Sequence, residues 1–250
     1  MFKEIKNLIS FLTVIPVGMD PDCLTDAANY MYLFPAVGAL VGLLAGLCGW
    51  LLSHVLSALI VGVLTLSVVL LITGLHHTDG LLDFGDGIMY QGSPEKKIEV
   101  MHDQLTGTGG LTLGLITILT TALCIAGLSM GIVIQSLIVS EVSAKLAMVI
   151  GIWVGKSAHN GMNTYFVNAM HGQHRNLRLT VALIVSLGIA IPLQRIVGFA
   201  AVVAGLATAL VMVGVSNRHF KGITGDVMGA TNELARMASL IMILAATKWA

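Results

Sequence analysis

The 250-residue chain is 56% hydrophobic and only 10% charged, with a mean hydropathy of +0.90. Soluble domains carry roughly 25% charged residues, so a soluble globule of this composition would expose a largely apolar surface. The 13 basic and 13 acidic residues leave no net charge to attract nucleic acid. Composition therefore excludes soluble enzymes, nucleic-acid binders and disordered chains, and it indicates a polytopic, all-α membrane protein.

The N-terminal segment, residues 1–17, combines Lys3 and Lys6 with an apolar stretch over 8–17. This pattern is similar to a signal peptide, but no small-residue cleavage site follows it and Pro16 interrupts it. We expect an amphipathic helix that lies along the membrane surface.

Six apolar runs are long enough, or nearly so, to cross a hydrocarbon core about 30 Å thick. They lie at 33–53, 55–75, 110–130, 132–153, 179–194 and 196–215, and a shorter seventh run lies at 235–250. Taken in pairs, the six runs predict three helical hairpins in one membrane domain, residues 1–250. The seventh run contains Lys248, and the sequence does not decide whether it crosses the membrane or on which side the C-terminus lies.

The hairpins place the N-terminus and three polar segments, 76–109, 154–178 and 216–234, on one face of the membrane. Ten of the 13 basic residues then share that face: Lys3, Lys6, Lys96, Lys97, Lys156, Arg175, Arg178, Arg218, Lys221 and Arg236. The positive-inside rule predicts that this face is cytoplasmic, with the protein in the cell membrane.

The first polar segment carries three aspartates, Asp79, Asp83 and Asp86, at positions i, i+4 and i+7. On a helix these carboxylates share one face, where they repel each other unless a cation neutralises them. Mg²⁺ suits such oxygen ligands. Three neighbouring glycines would let a bulky ligand approach the backbone: Gly80, Gly85 and Gly87.

A glycine-rich turn follows, immediately before the third apolar run. Free amide groups at a helix N-terminus favour phosphate, so we expect Gly107 and Gly110 to contact a phosphorylated substrate. Asp103 is expected to supply a further metal ligand.

The last polar segment offers Arg218 and Lys221 to neutralise phosphate, and Asp226 to reach the same cluster. A polar connection between helices is the simpler interpretation of this segment. In the middle segment, His171 and His174 lack a second pair of ligands at zinc spacing and are expected to lie at the surface. Substitution of Arg175 is expected to affect turnover much less than substitution of Asp83. Glu141 and Lys145, four residues apart in an apolar run, predict a structural ion pair.

Three motifs together resemble the cobalamin synthase family, also called adenosylcobinamide-GDP ribazoletransferase. They are His77-x-Asp79-Gly80-Leu81-x-Asp83-x-x-Asp86-Gly87, then Met101-x-Asp103-x-x-x-Gly107-Thr108-x-Gly110, and finally Gly222-x-Thr224-Gly225-Asp226-x-x-Gly229-Ala230. The resemblance extends over about residues 8–234, and it also includes Phe11-Leu12-Thr13-x-Ile15-Pro16 and Phe34-Pro35-x-Val37-Gly38.

The resemblance implies a membrane enzyme that joins adenosylcobinamide-GDP to α-ribazole, or to its 5′-phosphate, and releases GMP with the help of Mg²⁺. Asp79, Asp83 and Asp86 would hold metal, and one of the carboxylates or His77 would accept a proton. No nucleic acid is expected as a partner, and oligomerisation is left open.

Two other functions compete with this one. A membrane phosphotransferase of the CDP-alcohol type also uses spaced aspartates, but this chain lacks the Asp-Gly-x-x-Ala-Arg pattern of that class. A cation transporter would place its carboxylates near the bilayer midplane on broken helices.

Overall fold

The computed structural model describes residues 2–18 and 20–247, and its regular elements there are helical, which confirms the all-α prediction. The helices are α1 (Phe2–Leu12), α2 (Cys23–Asn29), a 3₁₀ turn (Met31–Leu33), α3 (Phe34–Leu52), α4 (Ala58–Ile72), α5 (His76–Met89), α6 (Pro94–Met101), α7 (Thr108–Ala126), α8 (Val133–Val154), α9 (Met162–Met170), α10 (Arg175–Phe220) and α11 (Gly225–Thr247).

Five helical segments of the described chain are long and apolar enough to cross a membrane: α3 with its preceding 3₁₀ turn, α7, α8, α10 and α11. A sixth crossing results if α4 and α5, which are bent by 96° relative to each other, form one broken span. The protein is therefore a multi-pass membrane protein. Because α5 turns away from α4 and carries three aspartates, we treat α5 as lying outside the crossings.

Helix α10 is a hairpin, as the two runs at 179–194 and 196–215 predict. Its backbone is non-helical at Gln194 and Arg195. Gln194 donates to Ser136 Oγ (2.8 Å) near the start of α8, whereas Arg175 donates to the carbonyl of Trp153 (2.6 Å) near the end of α8. The chain then runs back to the same end, because Ile223, just after α10, exchanges backbone hydrogen bonds with Lys156 and Ala158, just after α8.

Helices α3 and α8 pack with their backbones in close approach. A Cβ at Gly38 would lie 2.6 Å from the Glu141 carbonyl oxygen, and one at Gly42 would lie 2.4 Å from that of Leu137. These glycines are four residues apart and line one side of α3, the small-residue stripe that lets membrane helices meet.

The prediction of a polar connection over 216–234 is wrong. Helix α11 begins at Gly225, ten residues before the predicted seventh run, and it is long enough to span. The polar residues Asn232, Glu233 and Arg236 are buried inside the bundle rather than exposed between helices. Arg236 is therefore not on the basic face. The predicted position of Lys248 lies outside the described residues.

The N-terminal helix is present as predicted. Leu8 and Leu12 of α1 are buried against the core, while Lys3 pairs with Asp22 at the exposed surface (2.9 Å). Its amphipathic character suits a membrane surface.

The three polar segments meet at one end of the bundle, as the hairpins predict. Lys97 Nζ lies 3.1 Å from His219 Nδ1, and the Ala158 amide donates to the carbonyl of Ile223 (3.0 Å). Within the first segment, the Gly107 amide donates to the Asp86 carboxylate (2.6 Å). We call this the polar end of the molecule.

Candidate active site at the polar end

Helix α5 crosses the polar end because the chain turns sharply before it. Gly74 and Leu75 both adopt the left-handed region, with φ of 64° and 63°, and this permits the 96° bend after α4. The Val14 amide donates to the carbonyl of Ile72 (2.8 Å), which fixes the end of α4 against the segment after α1.

The aspartates of α5 lie on one helix face, as their spacing predicts. Asp79 is exposed, and Asp83 and Asp86 are half-buried. Asp226, in the first turn of α11, faces the same cluster, since α5 and α11 nearly touch: a Cβ at Gly80 would lie 2.9 Å from Asp226 Cα. The structure thus brings together carboxylates from two segments that are far apart in sequence.

The crowding of these carboxylates acts on Asp83 in particular. Partial burial, followed by the negative charges of Asp79, Asp226 and Asp86, raises the pKa of Asp83 to about 7. Such a shift is expected where like charges share a site. It marks Asp83 as the centre of the cluster and as the group that gains most from a nearby cation.

Asp86 has a structural contact that the sequence did not reveal. Its two carboxylate oxygens accept hydrogen bonds from the amides of Gly107 (2.6 Å) and Gly110 (2.8 Å). The carboxylate therefore caps the N-terminus of α7, where a negative charge is favoured. In this structure both amides are bonded to Asp86, and the predicted contact of Gly107 and Gly110 with substrate phosphate stays a prediction.

The glycines of α5 do not leave room for a ligand. The expectation that they let a bulky ligand approach the backbone is therefore wrong. Gly80 packs on the backbone of α11, and Gly85 packs on α7, where a Cβ would lie 2.8 Å from Gly110 Cα. Gly87 faces the side chain of Met101. These glycines allow α5 to sit close to its neighbours, so they place the aspartates rather than a substrate.

Asp103 is exposed and accepts a hydrogen bond from the Leu105 amide within its own loop (3.2 Å). Its neighbour His102 lies close enough to Asp226 to interact with that carboxyl electrostatically. The rings of His102 and His159 meet edge to face, 5.5 Å apart. Sequence reasoning did not bring His102 together with Asp226, because the two residues belong to segments that are far apart in the chain.

His77 lies in the first turn of α5, on its buried side, with only 7% of its surface exposed. Gly229 of α11 packs on its backbone, and its Nδ1 has no hydrogen-bond partner among the described residues. Burial, and then the positive charges of Lys145 and Arg236, hold the pKa of His77 well below its usual range. His77 is therefore a neutral group on the inner side of the site.

Arg218 and Lys221 are exposed at the C-terminal end of α10, near the polar end. The charge of Lys221 acts on Glu95 of α6, and Lys97 of the same helix lies against His219. These cations flank the acidic helix, and their predicted contact with substrate phosphate stays a prediction.

The chemistry of this site fits Mg²⁺ in a particular way. In the described part of the chain, no three His, Cys, Asp or Glu side chains converge as a ready-made metal cage. Mg²⁺ commonly keeps several waters and binds through one or two carboxylates together with substrate phosphates. Asp79 and Asp83, one helical turn apart, suit that mode.

Comparison with known proteins agrees with the motifs. The model of the family described as cobalamin-5-phosphate synthase matches residues 4–244. A protein of Methanocella arvoryzae named adenosylcobinamide-GDP ribazoletransferase is 37% identical, covering 100% of this chain and 97% of the relative. Proteins with the same name are 33% identical in Thermococcus kodakarensis (95% and 96% covered) and 31% identical in Methanococcoides burtonii (97% and 92% covered). No solved structure matches the chain.

Proposed function

Since the chain belongs to the cobalamin-5-phosphate synthase family, we propose that it transfers the adenosylcobinamide phosphate moiety of adenosylcobinamide-GDP to α-ribazole or α-ribazole 5′-phosphate. The products are adenosylcobalamin, or its 5′-phosphate, and GMP. The observation that carries the proposal is the carboxylate cluster of α5 and α11, which lies at the polar end of a chain matched over residues 4–244 by the family.

The reaction replaces the phosphoanhydride bond of the diphosphate with a phosphodiester bond. A ribose hydroxyl of the ribazole forms a bond to the phosphorus that carries the cobinamide, and the bond from that phosphorus to the bridging oxygen of the diphosphate breaks. The hydroxyl proton leaves, and the bridging oxygen departs with GMP. Such a step depends on alignment and on neutralisation of charge more than on covalent help from the protein.

We assign Asp79 and Asp83 to Mg²⁺, with Asp226 completing the set from α11. When bound, the cation would neutralise negative charge on the diphosphate and on the departing GMP. Asp86 contributes its negative charge to the cluster while its oxygens cap α7. Asp103, exposed in its own loop, is the weakest of the predicted ligands.

Two roles follow for the remaining residues. Arg218 and Lys221 are exposed cations beside the site and suit the phosphate oxygens of the substrate. The proton acceptor is a carboxylate of the cluster rather than His77, because His77 is almost fully buried on the side of α5 that faces the bundle. A general base must lie within hydrogen-bond reach of the proton that it removes.

The placement of the site also bears on topology. We propose that the protein lies in the cell membrane with its polar end on the cytoplasmic side, because the basic residues of the loops gather at that end. Both substrates would then reach the site from the aqueous side.

Transport of a cation is the weaker alternative. The bend between α4 and α5 satisfies its expectation of a broken helix, but the carboxylates lie at the polar end rather than midway along the crossings. The CDP-alcohol type of phosphotransferase has no specific observation in its favour.

The first test is release of GMP by the purified, detergent-solubilised protein given adenosylcobinamide-GDP and α-ribazole. We expect release that requires both substrates, that is supported by Mg²⁺ and that is abolished by EDTA. Substituting α-ribazole 5′-phosphate identifies the preferred acceptor. Absence of release from a folded preparation would contradict the assignment, and release without added divalent cation would contradict the role of Mg²⁺.

A further inference from the structure

A network of buried charges links α8 to α11 in the interior of the bundle. Lys145 Nζ lies 3.3 Å from Glu141 Oε2 and donates to Asn232 Oδ1 (2.8 Å). Arg236 pairs with both Glu141 and Glu233. The side chains of Glu141, Lys145 and Arg236 are wholly buried, and that of Glu233 is 3% exposed.

Charges in this position call for an explanation beyond stability. Arg236 lies eleven residues into α11, about 16 Å along the helix axis from its start, which is near the middle of a crossing. Buried ion pairs are often no more stabilising than apolar residues of the same volume, and ionisable residues inside a membrane bundle are usually functional. The two cations and two anions cancel, so the network has no net charge. Its ion pairs nevertheless require specific relative positions of α8 and α11.

The network lies on the same stripe of α11 as the acidic site. Asp226, Gly229, Glu233 and Arg236 follow one another at spacings of three and four residues, so they share a helix face. Towards the polar end this face packs on α5, where Gly80 contacts the backbone of Asp226 and Gly229 contacts that of His77. Deeper in the bundle the same face is tied to α8 by its charges.

Resting on the proposed function, we propose that Glu141, Lys145, Glu233 and Arg236 are positioning residues for Asp226. Their pairing sets the height and rotation of α11 against α8, and so holds Asp226 against the aspartates of α5. A slip of α11 by one turn, about 5.4 Å, would separate Asp226 from the cluster. Apolar contacts alone would permit small slides and rotations that paired charges forbid.

The test uses the double variant Glu141→Gln/Lys145→Met in the full-length protein. It removes one charge of each sign and leaves Arg236 paired with Glu233, so the bundle is expected to fold with a thermal midpoint close to that of the unmodified protein. We expect kcat for GMP release to fall about 10- to 100-fold, the scale of a misplacement near 1 Å, with KM for adenosylcobinamide-GDP little changed. Amide hydrogen exchange over residues 222–231 should accelerate, with the rest of the bundle unaffected.

Two further variants make the result decisive. Lys145→Arg keeps the charge and is expected to retain most of kcat and the slow exchange of 222–231. Ser239→Ala removes a buried hydrogen bond from the same helix, the one to the carbonyl of Ala201 (3.0 Å), and should leave both properties unchanged.

Several outcomes would overturn the proposal. They are kcat preserved in the double variant, unchanged exchange over 222–231, or faster exchange spread over the whole bundle together with a lowered thermal midpoint. If the unmodified protein releases no GMP, the proposed function fails, and the exchange measurement still decides whether the network positions α11.

Discussion

At the scale of single residues, Asp83 is the side chain around which the site is arranged. Partial burial, followed by the charges of three other carboxylates, raises its pKa to about 7. Removing its charge relieves repulsion within the cluster while it deletes a ligand for the cation. Substitution of Asp83 should therefore lower turnover without lowering the stability of the fold.

Asp83→Asn is expected to lower kcat by at least about 100-fold, the scale seen when a group that stabilises transition-state charge is lost. Membrane insertion and the thermal midpoint should be preserved. The measurement is GMP release from the purified variant, with Asp22→Asn as the control, since the exposed side chain of Asp22 pairs with Lys3 at the surface. Near-normal turnover in Asp83→Asn would contradict the assignment of the cluster.

Asp86 differs from Asp83 because its carboxylate accepts two backbone hydrogen bonds at the start of α7. Asp86→Ala is expected to lower the free energy of unfolding by about 2 kcal/mol, the scale of a lost helix cap with a charged acceptor. Thermal unfolding in detergent measures this. Glu99→Ala, which breaks an exposed pair with Lys96, should cost much less, and equal costs would argue against the cap.

Arg175 illustrates a residue whose role the sequence did not show. The sequence counts it only among the basic residues of one membrane face, whereas in the structure Nη2 donates to the carbonyl of Trp153 (2.6 Å) and the guanidinium lies 4.8 Å from the centre of the Trp153 ring. It therefore holds the C-terminal end of α8.

We expect Arg175→Ala to cost about 1–2 kcal/mol of stability through the lost hydrogen bond and cation–π contact, with kcat retained. Thermal unfolding and GMP release together check this, with the exposed Gln173→Ala as the control. Complete loss of turnover in a folded variant would show that the middle segment belongs to the catalytic machinery.

At the scale of helices, α5 depends on the absence of side chains where it meets its neighbours. Gly80→Ala would bring a Cβ within 2.9 Å of Asp226 Cα and should force α5 and α11 apart. We expect a fall in kcat of about 10- to 100-fold, measured as GMP release. Gly214→Ala in α10 is the matched control, because nothing lies within 4 Å of the added Cβ and the change should be neutral or mildly stabilising.

The sequence predicted the elements better than their junctions. Apolar run lengths gave the hairpins, and the spacing of Asp79, Asp83 and Asp86 gave the face of α5, because both are local properties. The start of α11 was missed because Glu233 and Arg236 look solvent-exposed until their partners on α8 are known. The capping of α7 was missed for a similar reason, since Asp86 precedes Gly107 by 21 residues and only the fold brings them together.

At the scale of the whole molecule, the hairpins predict that the ends of the bundle face opposite sides of the membrane. Lys96 and Lys221 lie at the polar end, whereas Arg195 lies at the turn of α10 beside the start of α8. Single cysteines at these positions, in a background without Cys23, Cys48 and Cys124, report the side through a membrane-impermeant maleimide.

We expect Lys96→Cys and Lys221→Cys to react only in inverted vesicles, and Arg195→Cys only in intact cells. Labelling of all three positions from one side would contradict the hairpin of α10. If Lys96→Cys and Lys221→Cys react only in intact cells and Arg195→Cys only in inverted vesicles, the hairpin of α10 is retained but the polar end lies outside the cell.

The pairing of charges within each helix also bears on how the chain enters the membrane during synthesis. Glu141 and Lys145 are neighbours on α8, and Glu233 and Arg236 are neighbours on α11, so each helix brings its own counter-ion. A lone central charge costs about 3 kcal/mol during insertion by the translocon, and a paired one should cost less. Helix α8 can therefore partition into lipid before α11 has been translated, and the pairs then rearrange across the interface when the last helix arrives.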